Sequence, residues 1–320
     1  MKTNRYPIYI ISKGRWESRY TPKALEKLGV PYFIAVEPQE YDNYKEVIGP
    51  LGTVLKLPFS NHGKGSGPAR NWCWEHSQAN GFKRHWLMDD NISEFWRVHK
   101  NKRYRVEKGS AIFRSTEDFV DRYENVALAG LQYKFFVVDD TDYPPYVLNT
   151  RIMSCFLIDN DCPEKWRGKY NEDVDLSIRV LKRGLCTMLI YSFLCGKLRT
   201  GTVKGGNTAE IYNNYADDSA TTKSQMLKEM HPDCVTIGER YGRVHHFVDL
   251  NAIKRADGLP ARQNVPILKK DIKIYNKADS YGMKLMREFG TDDTTWTVGA
   301  KSNESFVFNN GTERLTINAD

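Results

Sequence analysis

Nowhere in the 320 residues is there an unbroken run of about 18 or more apolar side chains, so no membrane-spanning helix is expected. The six cysteines, Cys73, Cys155, Cys162, Cys186, Cys195 and Cys234, include no Cys-x-x-Cys pair. That absence disfavours a zinc site or a redox dithiol and leaves reduced packing residues as the expectation. The Walker pattern Gly-x-x-x-x-Gly-Lys-Ser/Thr is missing, which excludes a P-loop. Gly-x-Gly-x-x-Gly does not follow the first strand, which argues against a dinucleotide fold. The opening Met1-Lys2-Thr3-Asn4-Arg5-Tyr6-Pro7 leads into only a short apolar strand, so no secretory signal is read and a cytoplasmic protein is expected. Internal repeats and low-complexity tracts are also lacking.

What remains is the composition of a soluble globular protein: 40% hydrophobic, 27% charged and 12% aromatic. The length allows one large domain with or without an appendage, and ample material for a core. A net charge of +7 permits a phosphate-rich partner without proving one.

The first third alternates strands and helices. Ile8–Ile11 is a β-rich run, a helix is expected from Thr21 to Leu28 with Thr-Pro at its start, and Tyr32–Val36 is a second strand. A short helix near Tyr41–Ile48 leads to a strand at Thr53–Leu57. A glycine-rich loop at 61–68 then precedes a helix from Ala69 to about Ala79 and the apolar strand His85–Met88. This order predicts an α/β fold with a parallel, Rossmann-like half. Further on, Glu117–Gly130 reads as helix, Phe135–Val138 and Ile152–Ile158 as strands, Asn171–Arg183 as a well-marked helix, and Cys186–Phe193 as a strand. A helix is expected near Ser224–Glu229, and beyond about 270 the pattern is weak and polar.

Chemistry concentrates at a few places. Asp89-Asp90-Asn91 ends the apolar strand, placing oxygen donors at the sheet edge where open α/β folds bind ligands. Such donors suit Mg²⁺ or Mn²⁺ holding a diphosphate, and a capped turn is the competing reading. Gly63-Lys64-Gly65-Ser66-Gly67 reads either as a phosphate cradle or as a flexible connector. Asn171-Glu172-Asp173-Val174-Asp175 stands at a helix start, where the dipole favours acids. Three acids within four residues exceed what capping needs, and a carboxylate general base is the functional reading. His245-His246 offers one candidate metal ligand, since adjacent residues of a strand face opposite ways. Gly201–Asn207 reads as a mobile loop able to close over a ligand. The stretch from Phe95 through Trp96, Arg97, Lys100, Lys102, Arg103 and Tyr104 to Arg105 mixes aromatics with cations, as a nucleic-acid surface does, or as an exposed hairpin does.

In this order the pieces resemble the GT-A glycosyltransferase superfamily. Gly67-Pro68-Ala69-Arg70-Asn71, the apolar strand and Asp89-Asp90-Asn91 look like its Ala-Arg-Asn helix and DxD metal motif. Glu172-Asp173, about eighty residues later, resembles its Glu-Asp catalytic motif. Ile10-Ile11-Ser12-Lys13-Gly14-Arg15, the Asp-Asp-Asn form and Asn171-Glu172-Asp173 give a narrower resemblance, to the TET-associated DNA glycosyltransferases of bacteriophages.

The resemblance implies a GT-A-like, mixed but mainly parallel sheet flanked by helices, with a catalytic domain over 1–265. A loop-rich extension over 266–320 would pack on that domain or bind acceptor. It also implies a UDP-sugar donor, Mn²⁺ or Mg²⁺, and DNA carrying a hydroxymethylated pyrimidine, foremost 5-hydroxymethylcytosine. Ser12, Lys13, Gly14 and Arg15 would meet uridine or diphosphate, Glu37 the nucleoside and Arg70 the diphosphate. Asp89 would contact the donor, and Asp90, Asn91 and His245 or His246 would hold the metal. The outer acid of DxD is an amide here, which leaves open whether Asp90 or Asn91 is the closer ligand. Asp173 would be the base of an inverting transfer, and Glu172 would bind hydroxyls. Other acceptors (glycan, lipid or protein), a non-catalytic DNA-binding module and a nucleotidyltransferase are the alternatives.

Overall fold

A computed structural model describes residues 4–198, 205–206, 219–240 and 242–269, and the backbone of strands between 275 and 318. The large unit, Thr3–Ile267, is built on one mixed sheet. Its first half follows the alternation in the sequence: β1 (Ile8–Ile11), α1 (Tyr20–Leu28), β2 (Tyr32–Val36), α2 (Tyr41–Val47), β3 (Gly52–Lys56), α3 (Gly67–Ala79) and β4 (Arg84–Asp89). β3, β2, β1 and β4 lie side by side and parallel, so β1 and β4 end together at one edge, with Ile11 opposite Asp89.

The second half turns the sheet mixed. A hairpin, β5 (Ile92–His99) and β6 (Lys102–Arg105), follows β4 directly. Lys100 and Asn101 both have positive φ (49° and 56°), the backbone that a two-residue turn between twisted strands requires. Then come α4 (Ala111–Val120), β7 (Val126–Tyr133), β8 (Tyr146–Leu148), β9 (Cys155–Asp159), α5 (Glu172–Lys182) and β10 (Cys186–Lys197). The sheet order is β3-β2-β1-β4-β9-β7-β10-β5-β6, with β8 also paired to β10. β9 runs antiparallel between β4 and β7.

Side-chain alternation sorts the core into two faces. Ile8, Ile10, Trp86 and Met88 pack with Leu25, Tyr44 and Phe113 of α1, α2 and α4. Tyr9 and Leu87 point the other way, onto Trp74 of α3 and Leu176 and Val180 of α5. Covering both faces of the sheet leaves its central strands buried, with polar side chains such as Arg84, His85 and Asp89 near their ends. The remaining stripe of α5, with Val174, Ile178 and Leu181, is buried by Leu227 of α6 (Ser219–Met230) and by Cys234, Val235 and Ile253. A second hairpin, β11 (Val235–Arg240) and β12 (Arg243–Val248), follows α6. All six cysteines are buried free thiols. Among the described residues no helix is long and apolar enough to cross a membrane.

The sequence reading departs from this fold in three places. Glu117–Gly130 is not one helix. α4 starts earlier, at Ala111, and β7 begins at Val126. Every residue of β7 is buried, so the strand lacks the alternation that marks a half-exposed one. Phe135–Val138 is not a strand: a short 3-10 turn over Lys134–Phe136 ends β7 and leaves both phenylalanines exposed. Finally, the second unit, which holds Leu268–Asp320, contains an antiparallel meander where loops are expected. Its strands are β13 (Tyr275–Lys277), β14 (Ser280–Phe289), β15 (Asp292–Lys301), β16 (Ser305–Asn309) and β17 (Arg314–Asn318). The alternation Tyr281, Met283, Leu285 in the sequence is a period-two signal that the polar composition hides.

Asp175 shows why α5 carries three acids in its first turns. It is fully buried and accepts from Arg167 Nη2 (3.0 Å), Arg179 Nε (2.8 Å) and His231 Nε2 (2.9 Å), tying α5 to the preceding loop and to the end of α6. Burial alone would raise its pKa, but these partners hold it down to about 2. Its contribution to stability is therefore complete above the ordinary carboxylate range near 4 and lost as pH falls from there toward 2. Asp175→Asn is expected to cost about 3 kcal/mol, because it breaks a buried charged network. Urea unfolding checks this, and an unchanged midpoint at pH 7 would refute it.

Candidate active site

The parallel half of the sheet brings the ends of β1, β2 and β4 to one edge, and α3, α5 and β10 deliver side chains to the same place. The result is a cleft of about 490 Å³. Its walls include Ser12, Lys13, Arg15, Glu37, Arg70, Asp89, Asp90, Asn91, Glu172 and Asp173, which the sequence motifs single out, together with Tyr133, Ser66 and Lys197.

Asp89 is the best-connected acid. Its Oδ1 accepts from Arg70 Nη2 at 2.7 Å, and its Oδ2 accepts from Lys197 Nζ at 2.9 Å and from Ser154 Oγ at 2.6 Å. Burial would push its pKa up, yet Lys197 and Arg70 hold it well below the usual carboxylate range. The same field lifts Lys197 well above the usual ammonium value against burial, so its charge is permanent. Because Ser154 gives its hydrogen to Asp89, the 2.6 Å bond from Tyr133 Oη to Ser154 Oγ has Tyr133 as donor. Ser154 itself has a left-handed backbone (φ 59°) and is 2% exposed, a strain of the kind that gathers at functional sites.

Arg70 bridges two acids. Besides Asp89 it approaches Glu172 Oε1 at 3.6 Å, and its Nε donates to Ser66 Oγ at 3.0 Å. Ser66 in turn donates to Glu172. The guanidinium lies over the Trp166 ring at 4.6 Å, and its Nη1 is buried with no partner among the described residues. The glycine-rich segment owes its composition partly to this packing. Gly65 has φ 73°, and a Cβ there would lie 2.4 Å from the Lys169 carbonyl oxygen.

The Ser-Lys-Gly-Arg segment leaves β1 and is pinned from α2 and the turn before it. Gly14 N donates to Glu40 Oε2 at 2.7 Å, Arg15 N donates to Tyr44 Oη at 3.1 Å, and Ser12 Oγ donates to Asp90 Oδ2 at 2.8 Å. Arg15 pairs with the other oxygen of Asp90. Lys13 pairs with Glu37 Oε2 at 3.1 Å. Gly14 does not itself line the cleft. Of the expected closing loop only Gly205 and Gly206 are described, and Gly201–Lys204 and Asn207 lie outside the described residues. Gly206 N donates to the Lys13 carbonyl at 2.7 Å, and a Cβ on Gly205 would lie 2.2 Å from the Gly14 carbonyl oxygen.

Asp173 differs from Asp89 in having no ion pair with a cation among the described residues. Its Oδ1 accepts the Val174 N–H at 2.8 Å. Burial, and then the neighbouring charge of Glu172, raise its pKa to about 6. The cleft thus holds one carboxylate forced to stay ionised and another poised to take a proton near neutrality.

One expected pair is not part of this cleft's lining. His245 and His246 lie on β12 and are not among its lining residues. His246 sits instead close enough to Arg151 for that charge, after burial, to help push its pKa down to about 4. Among the described residues the one group of three or more His, Cys, Asp or Glu side chains with ligand atoms all within 4.8 Å of one another is His231, Asp233 and Cys234. None of these lines the cleft, and His231 and Asp233 already pair with Asp175 and Lys182. Of the basic aromatic segment, Phe95 is a core residue against Phe113, whereas Arg97, Lys100, Lys102 and Tyr104 are exposed on the β5–β6 edge hairpin. Trp96 is half-buried under Lys134 Nζ, 4.0 Å from the ring centre, and Arg103 pairs with Asp139 at 2.8 Å.

The family model for TET-associated glycosyltransferases matches residues 6–206, well over half of the chain and every element that lines the cleft. The chain belongs to that family. It is a glycosyltransferase. Among solved structures, GalNAc-T7 with UDP, GalNAc and Mn²⁺ shares 9% identity over 100% of this chain and 72% of that one, with a TM-score of 0.42. Comparison with curated proteins gives no sequence match.

For this family member, sequence motifs missed Lys197, Ser154 and Tyr133. Lys197 had a usable signal, since it ends an apolar strand as Asp89 does. Ser154 and Tyr133 had none. Lys197→Met is expected to lower sugar transfer by roughly 10²-fold or more, the scale for losing one preorganised charge at a reacting centre. Melting temperature should confirm that the fold persists, and transfer within threefold of wild type would dismiss a role for Lys197.

Proposed function

We propose that the protein moves a sugar from a UDP-sugar onto the hydroxyl of a 5-hydroxymethylpyrimidine in DNA, most simply 5-hydroxymethylcytosine, with inversion at the anomeric carbon. The observation that carries this reading is the division of labour inside one cleft. Cations (Arg70, Lys197, Arg15 and Lys13) line the side reached from β1, α3 and β10, and a carboxylate of raised pKa, Asp173, stands on α5 in the same cleft. Cations suit a departing diphosphate, and the raised carboxylate suits an attacking hydroxyl.

In the proposed step the acceptor oxygen forms a bond to the anomeric carbon as the carbon–oxygen bond to the diphosphate breaks. The leaving UDP keeps the electron pair, and the acceptor proton passes to Asp173. Arg70 supplies its charge to the diphosphate, and Glu37 and the Ser12–Arg15 segment hold the nucleoside end. Glu172, already oriented by Ser66, accepts from sugar or acceptor hydroxyls. The large unit is the catalytic domain, and the basic face of the β5–β6 hairpin is the phosphate-binding edge for DNA.

A divalent cation fits beside Asp90 and Asn91. Asn91 Oδ1 is buried without a hydrogen-bond partner among the described residues, and Asp90, the preceding residue, is buried in the same cleft. One carboxylate and one amide oxygen, with the rest supplied by phosphates and water, is an ordinary Mg²⁺-type set. Asp89 is held by two cations and Ser154, whereas Asp90 pairs with one cation, Arg15, and with Ser12, which a bound ion would have to displace. When bound, the ion supplies positive charge to the diphosphate oxygens.

The deciding experiment is transfer of labelled sugar from UDP-glucose, UDP-N-acetylglucosamine and UDP-galactose to DNA bearing 5-hydroxymethylcytosine, 5-hydroxymethyluracil or neither. Label on no hydroxymethylated DNA would sink the acceptor assignment. The base assignment has its own signature. With an Asp173 pKa of about 6, kcat/KM should climb about tenfold per pH unit below 6 and flatten above it. Asp173→Asn should abolish that limb and lower turnover by roughly 10²- to 10⁴-fold while UDP binding persists. A variant retaining both the limb and the rate would remove Asp173 from the role.

A further inference from the structure

Phe135 and Phe136, in the turn that ends β7, are 59% and 54% exposed. They touch each other with ring centres 4.3 Å apart, and Phe135 stacks on Tyr133 at 5.1 Å. Two large rings held together in water mark an interaction surface rather than scattered exposure. Behind them, Tyr133, Phe136, Gln132, Arg151, Met153 and Tyr191 help line a second cavity of about 210 Å³. That is below the ~300–1,000 Å³ that receives drug-sized molecules and suits a single planar ring.

Tyr133 and Met153 also line the catalytic cleft, so anything seated in the small cavity borders the reacting groups. Its wall is continuous with the helix turn that carries the base. Ile152 N donates to Ser177 Oγ at 3.2 Å, and Ser177 Oγ donates to the Asp173 carbonyl at 2.9 Å. The cavity combines rings with fixed polar groups. Gln132 Oε1 accepts the Tyr133 N–H at 2.8 Å, and its Nε2 donates to Tyr191 Oη at 3.0 Å. On its other side the turn joins the basic hairpin. Lys134 lies over Trp96, Arg103 Nε donates to Asp139 Oδ1 at 2.8 Å, and Asp140 N donates to the Asn101 carbonyl at 2.7 Å.

From this we infer that the small cavity seats the heteroaromatic ring of the acceptor after it leaves the duplex stack, and that Phe135 and Phe136 wedge into the gap it vacates. The inference rests on the DNA-acceptor reading above and assigns residues to it. A hydroxymethyl group on a stacked base cannot descend to Asp173, so the ring must be extruded, and an apolar wedge offsets the lost stacking. The adjoining cations on the hairpin match the phosphates on either side of an extruded nucleotide.

A duplex with one 5-hydroxymethylcytosine beside 2-aminopurine reports the step by fluorescence. Wild type is expected to brighten the probe on binding, and the exposed pair changed together, Phe135→Ala with Phe136→Ala, to lose most of that rise. The same variant should raise KM for duplex DNA roughly ten- to a hundredfold, the scale of lost base–aromatic stacking, and by less on single strands, where no gap needs filling. KM for the nucleotide sugar tests that the cleft is intact. An unchanged duplex KM, or equal losses on duplex and single strand, would overturn the wedge and its cavity while leaving DNA as the acceptor. Wild type that labels no DNA would overturn the acceptor reading and this assignment with it.

Discussion

Asp89 and its cations are the constraint around which the rest of this molecule is arranged. A carboxylate at the end of a buried strand is tolerable only when paired, because the low-dielectric interior penalises a lone charge heavily. Here Arg70 comes from α3, Lys197 from the far end of β10 and Ser154 from the strained residue before β9. Satisfying one acid thus sets how α3, β4, β9 and β10 meet. It also brings Arg70 and Lys197 together in the wall of the cleft.

The second acid pair follows from the first. Arg70 reaches past Asp89 to Glu172, so the N-terminus of α5 is drawn against the glycine-rich loop, where only Gly65 lets the backbone approach Lys169. Asp173, one residue on, is near enough to feel Arg70 and Lys197 but touches neither. Burial and Glu172 therefore dominate, and its pKa rises while that of Asp89 falls. Environment alone divides the roles of two chemically identical side chains. Asp175, two residues further, anchors the helix that carries Asp173.

Much of the parallel half of the fold was legible in the sequence. Short apolar runs separated by helical spacing place β1, β2 and β4 side by side, and a strand ending in Asp89-Asp90-Asn91 must deliver those groups to the sheet edge. The middle was harder to read, because β7 is buried on every side and carries no periodicity. The polar meander beyond 275 hid its alternation among charges and threonines.

By itself the sequence determined the strand-helix alternation, the positions of Ser12–Arg15, Arg70, Asp89 and Glu172-Asp173 along the chain, and the family those motifs indicate. These are local properties, set by spacing and by which residues end each apolar run. The tertiary structure alone decided which acid is locked and which can accept a proton, because that depends on cations arriving from other elements, Arg70 from α3 and Lys197 from β10, 108 positions along the chain. It also decided that His245 and His246 stand apart from the cleft, and that Phe135 and Phe136 face water beside a cavity. Partner, burial and distance are properties of packing, and no spacing rule in one dimension encodes them.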